Sequence, residues 1–284
     1  AAEDVLLKMI RDEELITVDA LKAAISSGSS PTDFWTFADN WLEERRRRGQ
    51  IHYWRRARAI LRKFEASAGR PLLWPAFTVR LLKSFDLYMV EELANSGSTR
   101  SIAHKVLQTI VNEAIREGQI SSNDHPFARF RMPQSEPVQR AKLTADELAR
   151  MEALELDPLS WESIARDMYL LSYFVRGIRF GDVVRLRWKD AAEGRISIKI
   201  GKTGEFVSAP ITSQIQKILD RCDPPDKPED RVFHPLRGVK FKSAEHEVAI
   251  VSSVNARVNK HLKQVALLAG INKSVSFHTS RHSF

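Results

Sequence analysis

The feature that most constrains this chain is the aperiodic stretch from Asn123 to Gln139, which carries Pro126, Pro133 and Pro137. Proline has no backbone N–H and clashes with the preceding helical turn, so no helix runs through such a stretch. A chain of 284 residues interrupted there cannot be one continuous bundle, and its length suits two domains. Directly afterwards Thr144-Ala145-Asp146-Glu147 has the form of a capping box that opens a new helix. The domain boundary therefore falls near residue 140, with residues 31–135 before it, a linker over 136–143 and a second domain over 144–284.

Upstream, the pattern is helical. Phe34, Phe37, Ala38, Trp41 and Leu42 share one helical face. Trp54, Leu61 and Phe64 mark a second helix beginning near His52, and Leu81, Leu82, Phe85 and Tyr88 a third. Ile102, Val106, Ile110, Val111 and Ile115 mark a fourth, capped near Ser98 and closed at Gly118. Four such helices predict a compact bundle. Before them, Ser26 to Pro31 reads as a flexible connector after a short acidic helical extension over residues 1–30.

Downstream, the pattern is mixed. Ile164, Met168, Leu171 and Val175 continue a helical face up to Gly177, and Asp182 to Trp188 reads as another helix. Arg195 to Ile200 alternates with period two, as a half-buried strand does. Gly201 to Gly204 turns the chain, and Phe206 to Ala209 returns as a second strand ended by Pro210. Pro224, Pro225 and Pro228 form a loop; a long helix then runs from about Ser253 to a stop at Gly270, and the last residues enter a further helix. The expected fold is mainly α with a small β-hairpin: a helical domain followed by a mixed α+β one.

Charge narrows the partner. The net charge is +8 and the pI about 9.6. Residues 1–30 hold three basic and six acidic side chains, so the positive excess belongs to the two later blocks. Such a balance favours an acidic partner, of which nucleic acid is the commonest. Cys222 is the only cysteine, which excludes an internal disulfide and a cysteine zinc cluster, and suits a reducing cytoplasm. No apolar run approaches the roughly 20 residues of a membrane span. No metal-ligand cluster is apparent.

Three short segments carry chemistry. The first runs from Arg176-Gly177-Ile178-Arg179 through Asp182 to Trp188, the second is Gly201-Lys202-Thr203-Gly204 in the hairpin turn, and the third is His278-Thr279-Ser280-Arg281-His282-Ser283. Singly, each has an ordinary explanation as solvated surface. In this order, with an apolar helix and a glycine before Arg179 and a long helix before the H-x-x-R, they resemble the catalytic domain of tyrosine site-specific recombinases of the phage-integrase family. Phe34-Trp35-Thr36-Phe37-Ala38-Asp39-Asn40-Trp41 and Val111 to Gly118 resemble the beginning and end of that family's core-binding domain.

The resemblance implies a SAM-like core-binding domain and a tyrosine-recombinase catalytic domain that together form a C-shaped clamp on double-stranded DNA. It implies site-specific recombination, in integration or excision, through a 3′-phosphotyrosine intermediate. Arg179, Lys202, His278 and Arg281 would be catalytic, with Asp182 and His282 in support. It also implies a homo-tetramer on paired DNA sites, in a prokaryotic cytoplasm, with no cofactor, metal, membrane or small-molecule substrate. The run Arg45-Arg46-Arg47-Arg48 and the cluster Arg55, Arg56, Arg58, Arg62 and Lys63 are expected to contact DNA phosphates. The family's nucleophilic tyrosine lies some tens of residues beyond the H-x-x-R, whereas this chain stops at Phe284. Tyr53, Tyr88, Tyr169 and Tyr173 are expected to be packing residues, and this chain alone is expected to be inactive. Two other readings stay open: a non-catalytic DNA-binding regulator built on the same fold, and a type IB topoisomerase-like enzyme.

Overall fold

The computed structural model describes residues 33–134, 141–223 and 225–283. The acidic extension assigned to residues 1–30 lies outside the described residues. Contacts divide the chain into two compact units, Ala1–Pro137 and Val138–Phe284.

The first unit holds four long helices: α1 (Phe34–Arg47), α2 (Ile51–Ala68), α3 (Val79–Glu91) and α4 (Gly97–Arg116). Asp33 starts α1 by accepting from the Thr36 amide at 3.1 Å, and its other oxygen accepts from the Leu72 amide at 2.8 Å. One side chain thus caps a helix and ties it to a distant loop. The core is aromatic: Phe34 meets Trp35, Phe64 and Trp74 edge to face at ring separations of 5.0, 5.5 and 5.3 Å. Such pairs each add about 0.5–1.5 kcal/mol beyond simple burial.

Two readings of this unit change. Ile102 stands 41% exposed on α4, while the next position, Ala103, is buried with Val106, Leu107 and Ile110. The helix is capped by Ser96. The stretch from Asn123 is also not a bare linker throughout. Phe127 is buried in the helical core, Phe130 and Met132 pack against it, and the His125 ring meets Asn112 at 2.8 Å. Prolines stop a helix there, but the apolar side chains between them still bury.

The second unit is organised around α6 (Trp161–Phe174), which follows α5 (Ala145–Glu152). The capping box of α5 is complete, with the Thr144 hydroxyl on the Glu147 amide and the Glu147 carboxylate on the Thr144 amide. From Ala165 to Ser172 every residue of α6 is buried, as in a helix with neighbours all round. Short α7 (Phe180–Val183) precedes a three-stranded antiparallel sheet of β1 (Ala191–Ala192), β2 (Arg195–Lys199) and β3 (Phe206–Pro210) in the order β1-β2-β3. Ile196 pairs with Ala209 and Ser197 with Ser208, so Ile196 and Ile198 face the core. Then come α8 (Ser213–Asp220), α9 (Ala244–Leu268) and α10 (Ser280–Ser283).

Here too the structure corrects the sequence reading. No helix spans Asp182 to Trp188. The Leu186 carbonyl accepts from Val232, the Trp188 amide donates to Asp230, and Arg187 pairs across an isolated antiparallel bridge with Arg231. Those backbone groups are used between segments, so the helix ends at Val183. The long helix begins at Ala244 rather than near Ser253, capped by the Ser243 hydroxyl on His246. Glu245 and Glu247 in its first turn favour that start through the helix dipole. Helix α8 was not anticipated. No described helix is long and apolar enough to cross a membrane.

Candidate functional site

The second unit gathers all three motif segments. Chain leaves α6 through two consecutive left-handed residues, Arg176 at φ 56° and Gly177 at φ 66°. This reversal delivers Arg179 to the N-terminal cap of α7. Gly177 is needed for more than its φ. A Cβ added there would stand 3.1 Å from the Arg281 Cα, so the turn before Arg179 and the start of α10 touch backbone to backbone.

Ser172, wholly buried on α6, joins the same two turns chemically. Its hydroxyl donates to the Ile178 carbonyl at 2.7 Å and accepts from the Ser280 hydroxyl at 2.8 Å, for which the Phe277 carbonyl is the alternative acceptor. The residues that immediately precede Arg179 and Arg281 are therefore held by one serine. Burial and then the Arg179 charge lower the proton affinity of Arg281, with Asp182 opposing both. Two guanidiniums are thus within electrostatic range of each other.

Asp182 ties in the hairpin. Its Oδ1 accepts from the Gly201 amide at 3.0 Å, which anchors the turn carrying the exposed Lys202 to the helix that follows Arg179. Its Oδ2 is buried and has no hydrogen-bond partner. His278 lies in the short turn Phe277–Thr279, its ring 4.6 Å from that of His282 and nearly perpendicular to it. The turn is pinned by the Phe277 amide on Asn259 Oδ1 at 2.7 Å and by Thr279 on the Tyr169 hydroxyl at 3.0 Å.

Ser172 and Asn259 escaped the sequence reading, and Thr279 and Ser280 entered it only as part of the H-x-x-R segment. Small polar residues on buried helical faces give no periodicity signal, and their partners lie up to 110 residues away. The tyrosines sit as packing residues would. Tyr169 is wholly buried, and burial pushes its phenol pKa up against the Thr279 hydrogen bond. Tyr173 packs on Phe174 at 5.4 Å, and Tyr53 and Tyr88 belong to the helical unit.

The arginines expected to contact DNA separate into two groups. Arg45 lies over Trp41 at 4.2 Å and pairs with Glu44 at 2.9 Å, leaving its side chain 12% exposed. Arg46 and Arg47 pair with Glu43, and Arg48 with Glu44 at 2.6 Å. Two carboxylates of its own helix thus offset half of the charge of that run. On α2, Arg55, Arg56, Arg58 and Arg62 are exposed and Lys63 is half-buried. Among the described residues none of these five has a carboxylate partner, and Arg56 and Arg58 lie over Tyr53 and Trp54. Of the two groups expected to contact DNA, the one on α2 is thus the one without carboxylate partners among the described residues.

Residues 33–132 match the family model of the phage integrase SAM-like domain. The integrase of Enterobacteria phage 434 is 31% identical over 134 residues, which are 44% of this chain and 35% of that protein. The integrase of Escherichia phage HK022 is 30% identical over 169 residues, 59% of this chain and 43% of that one. The chain spans less than half the length of these curated relatives. A lambda integrase tetramer bound to a Holliday junction superposes with a TM-score of 0.67 at 19% identity, over 100% of this chain and 80% of that one, a likeness of fold. The first unit thus matches the phage integrase SAM-like domain in sequence, and the chain shares the fold of lambda integrase.

Proposed function

We propose that this chain supplies the DNA-binding and phosphate-activating parts of a site-specific recombinase that integrates or excises DNA through a 3′-phosphotyrosine intermediate. The observation that supports the reading is the close approach of the turns that carry Arg179 and Arg281, whose two charges act on each other. In the reaction a tyrosine phenol attacks a phosphodiester, a P–O bond to the phenol forms, and the P–O5′ bond breaks. Negative charge builds on the non-bridging oxygens of the pentavalent phosphorus. Arg179 and Arg281 stabilise that charge and stay protonated at any working pH. Lys202 gives a proton to the departing 5′-oxygen, and His278 bonds the phosphate or helps move the proton of the phenol. Asp182 acts through the Gly201 amide, positioning the turn that bears Lys202.

The attacking phenol is assigned to none of Tyr53, Tyr88, Tyr169 and Tyr173. The α2 cations contact the DNA backbone, and the working assembly is a tetramer on paired sites, as the lambda integrase structure is of a tetramer on a Holliday junction. The test is covalent trapping on labelled duplex DNA carrying the cognate site. The 284-residue chain forms no detergent-stable, protease-sensitive adduct, and a form that also carries the family's tyrosine does. An adduct mapped to Tyr169 or Tyr173 refutes the assignment; no adduct from the tyrosine-bearing form favours a DNA-binding regulator.

A further inference from the structure

The second unit contains a pair of arginines that the recombinase reading does not use. Arg187 and Arg231 are Cα partners across an antiparallel bridge. Residues directly opposite in such a bridge project to the same side with Cβ atoms about 4.5–5.5 Å apart, and like charges there repel. Nearby cation density is higher still. The Arg231 guanidinium donates to the Arg185 carbonyl at 3.2 Å and lies 5.8 Å from the Phe241 ring centroid. Arg185 itself is taken up by Glu247 at 2.7 Å and the Gly181 carbonyl at 2.8 Å.

Glu247 thus answers one of the three charges. Among the described residues neither Arg187 nor Arg231 has a carboxylate partner. Burial, then Arg187, then Arg185, lower the proton affinity of Arg231, with Glu247 in opposition. Both residues are only half-buried, which leaves a ligand access to them. A fixed like-charge pair is unfavourable while empty, and the cost is relieved when an anion with two oxygens lies between the forks.

We propose that Arg187 and Arg231 form a second oxyanion site that takes a phosphate group, separate from the pair formed by Arg179 and Arg281. Arg187 lies eight positions beyond Arg179 on the same excursion of chain, so the favoured source is a backbone phosphodiester of the DNA held at the candidate site. Only that choice of source rests on the recombinase reading. Free phosphate offers the same chemistry.

The experiment uses the 284-residue chain with Arg187→Gln and Arg187→Lys. Arg231 is left in place because it packs on Phe241. Duplex DNA affinity is measured over a salt series. In Arg187→Gln the slope of log affinity against log salt falls by about 0.9, and Arg187→Lys restores it. Affinity at low salt drops about tenfold, as for loss of a charge-assisted hydrogen bond. Without ligand, Arg187→Gln melts no lower than the wild type, because a repulsive pair has been removed; a merely structural arginine would lower the midpoint.

A second arm measures the thermal shift produced by inorganic phosphate. If phosphate raises the midpoint of the wild type but not of Arg187→Gln, and the DNA slope is unchanged, the site stands and its ligand is the free anion. If the wild type binds no DNA, the recombinase reading fails and the phosphate arm alone decides the site. An unchanged slope together with an unchanged phosphate shift overturns the inference.

Discussion

Gly177 gives the sharpest test of how the candidate site is held together. Its φ of 66° is left-handed, and an added Cβ would meet the Arg281 Cα at 3.1 Å. Gly238, in the same unit, has nearly the same backbone at φ 72° but nothing within 4 Å of its added Cβ. Gly238→Ala therefore carries only the left-handed cost of about 1–2 kcal/mol, less a fraction recovered from a stiffer unfolded chain. Gly177→Ala carries that cost plus overpacking against backbone, which adds about 1–3 kcal/mol. For a unit of this size, each kcal/mol lowers the melting midpoint by roughly 3 °C. Calorimetry on the 284-residue chain should show the second unit losing about 3–5 °C in Gly238→Ala and at least twice that in Gly177→Ala. The transition of the helical unit stays put in both. The larger loss comes with Arg281 pushed from Arg179, so cleavage by the tyrosine-bearing form should vanish in Gly177→Ala and survive in Gly238→Ala. Equal midpoints for the two variants would refute the argument that the two arginine turns are locked by direct backbone contact.

Two further outcomes follow from named side chains. Lys202→Ala should slow cleavage by about 10²–10⁴-fold and be rescued by a substrate with sulfur in the bridging 5′ position, since a thiolate leaves without a proton; failure of rescue removes the general-acid role. Burial holds the pKa of His104 below the ordinary 6.5, against the hydrogen bond to Asp86. The unfolded chain thus takes up a proton that the folded one refuses. Stability is complete above pH 6.5 and declines as pH falls below it; His104→Gln should flatten that decline in urea unfolding followed down to about pH 5.

The elements legible in the sequence were those with a local cause. The Thr144 capping box, the alternation of Ile196, Ile198 and Ile200, and the stop at Gly270 each depend on residues a few positions apart, and each forms. The misreadings have two kinds of cause. Leu186 to Trp188 looks helical until Asp230 and Val232 claim its backbone groups. The start of α9 was hidden because Ser243 to Glu247 is polar and shows no apolar face, although the cap and the early acidic residues were available. Glu43 and Glu44 pair with Arg46 and Arg48 one helical turn away, a spacing that the sequence already contains.

The same distinction separates the proposed reacting groups from what positions them. Arg179, Lys202, His278 and Arg281 can be named from short motifs because each stands in a turn with its own local signature of glycine or hydroxyl residues. What makes them one site is carried elsewhere. Ser172 binds the turn before Arg179 to the turn before Arg281, Asp182 binds the hairpin, and Asn259 binds the turn of His278. Each of these contacts is a single hydrogen bond, worth about 1 kcal/mol net when made, yet leaving a buried partner unmet costs about 1–3 kcal/mol. The strength of the arrangement lies in that asymmetry. Because the Ser172 hydroxyl engages both turns, a shift of either arginine leaves a polar group stranded in a buried interior, and the two guanidiniums are kept together despite their repulsion.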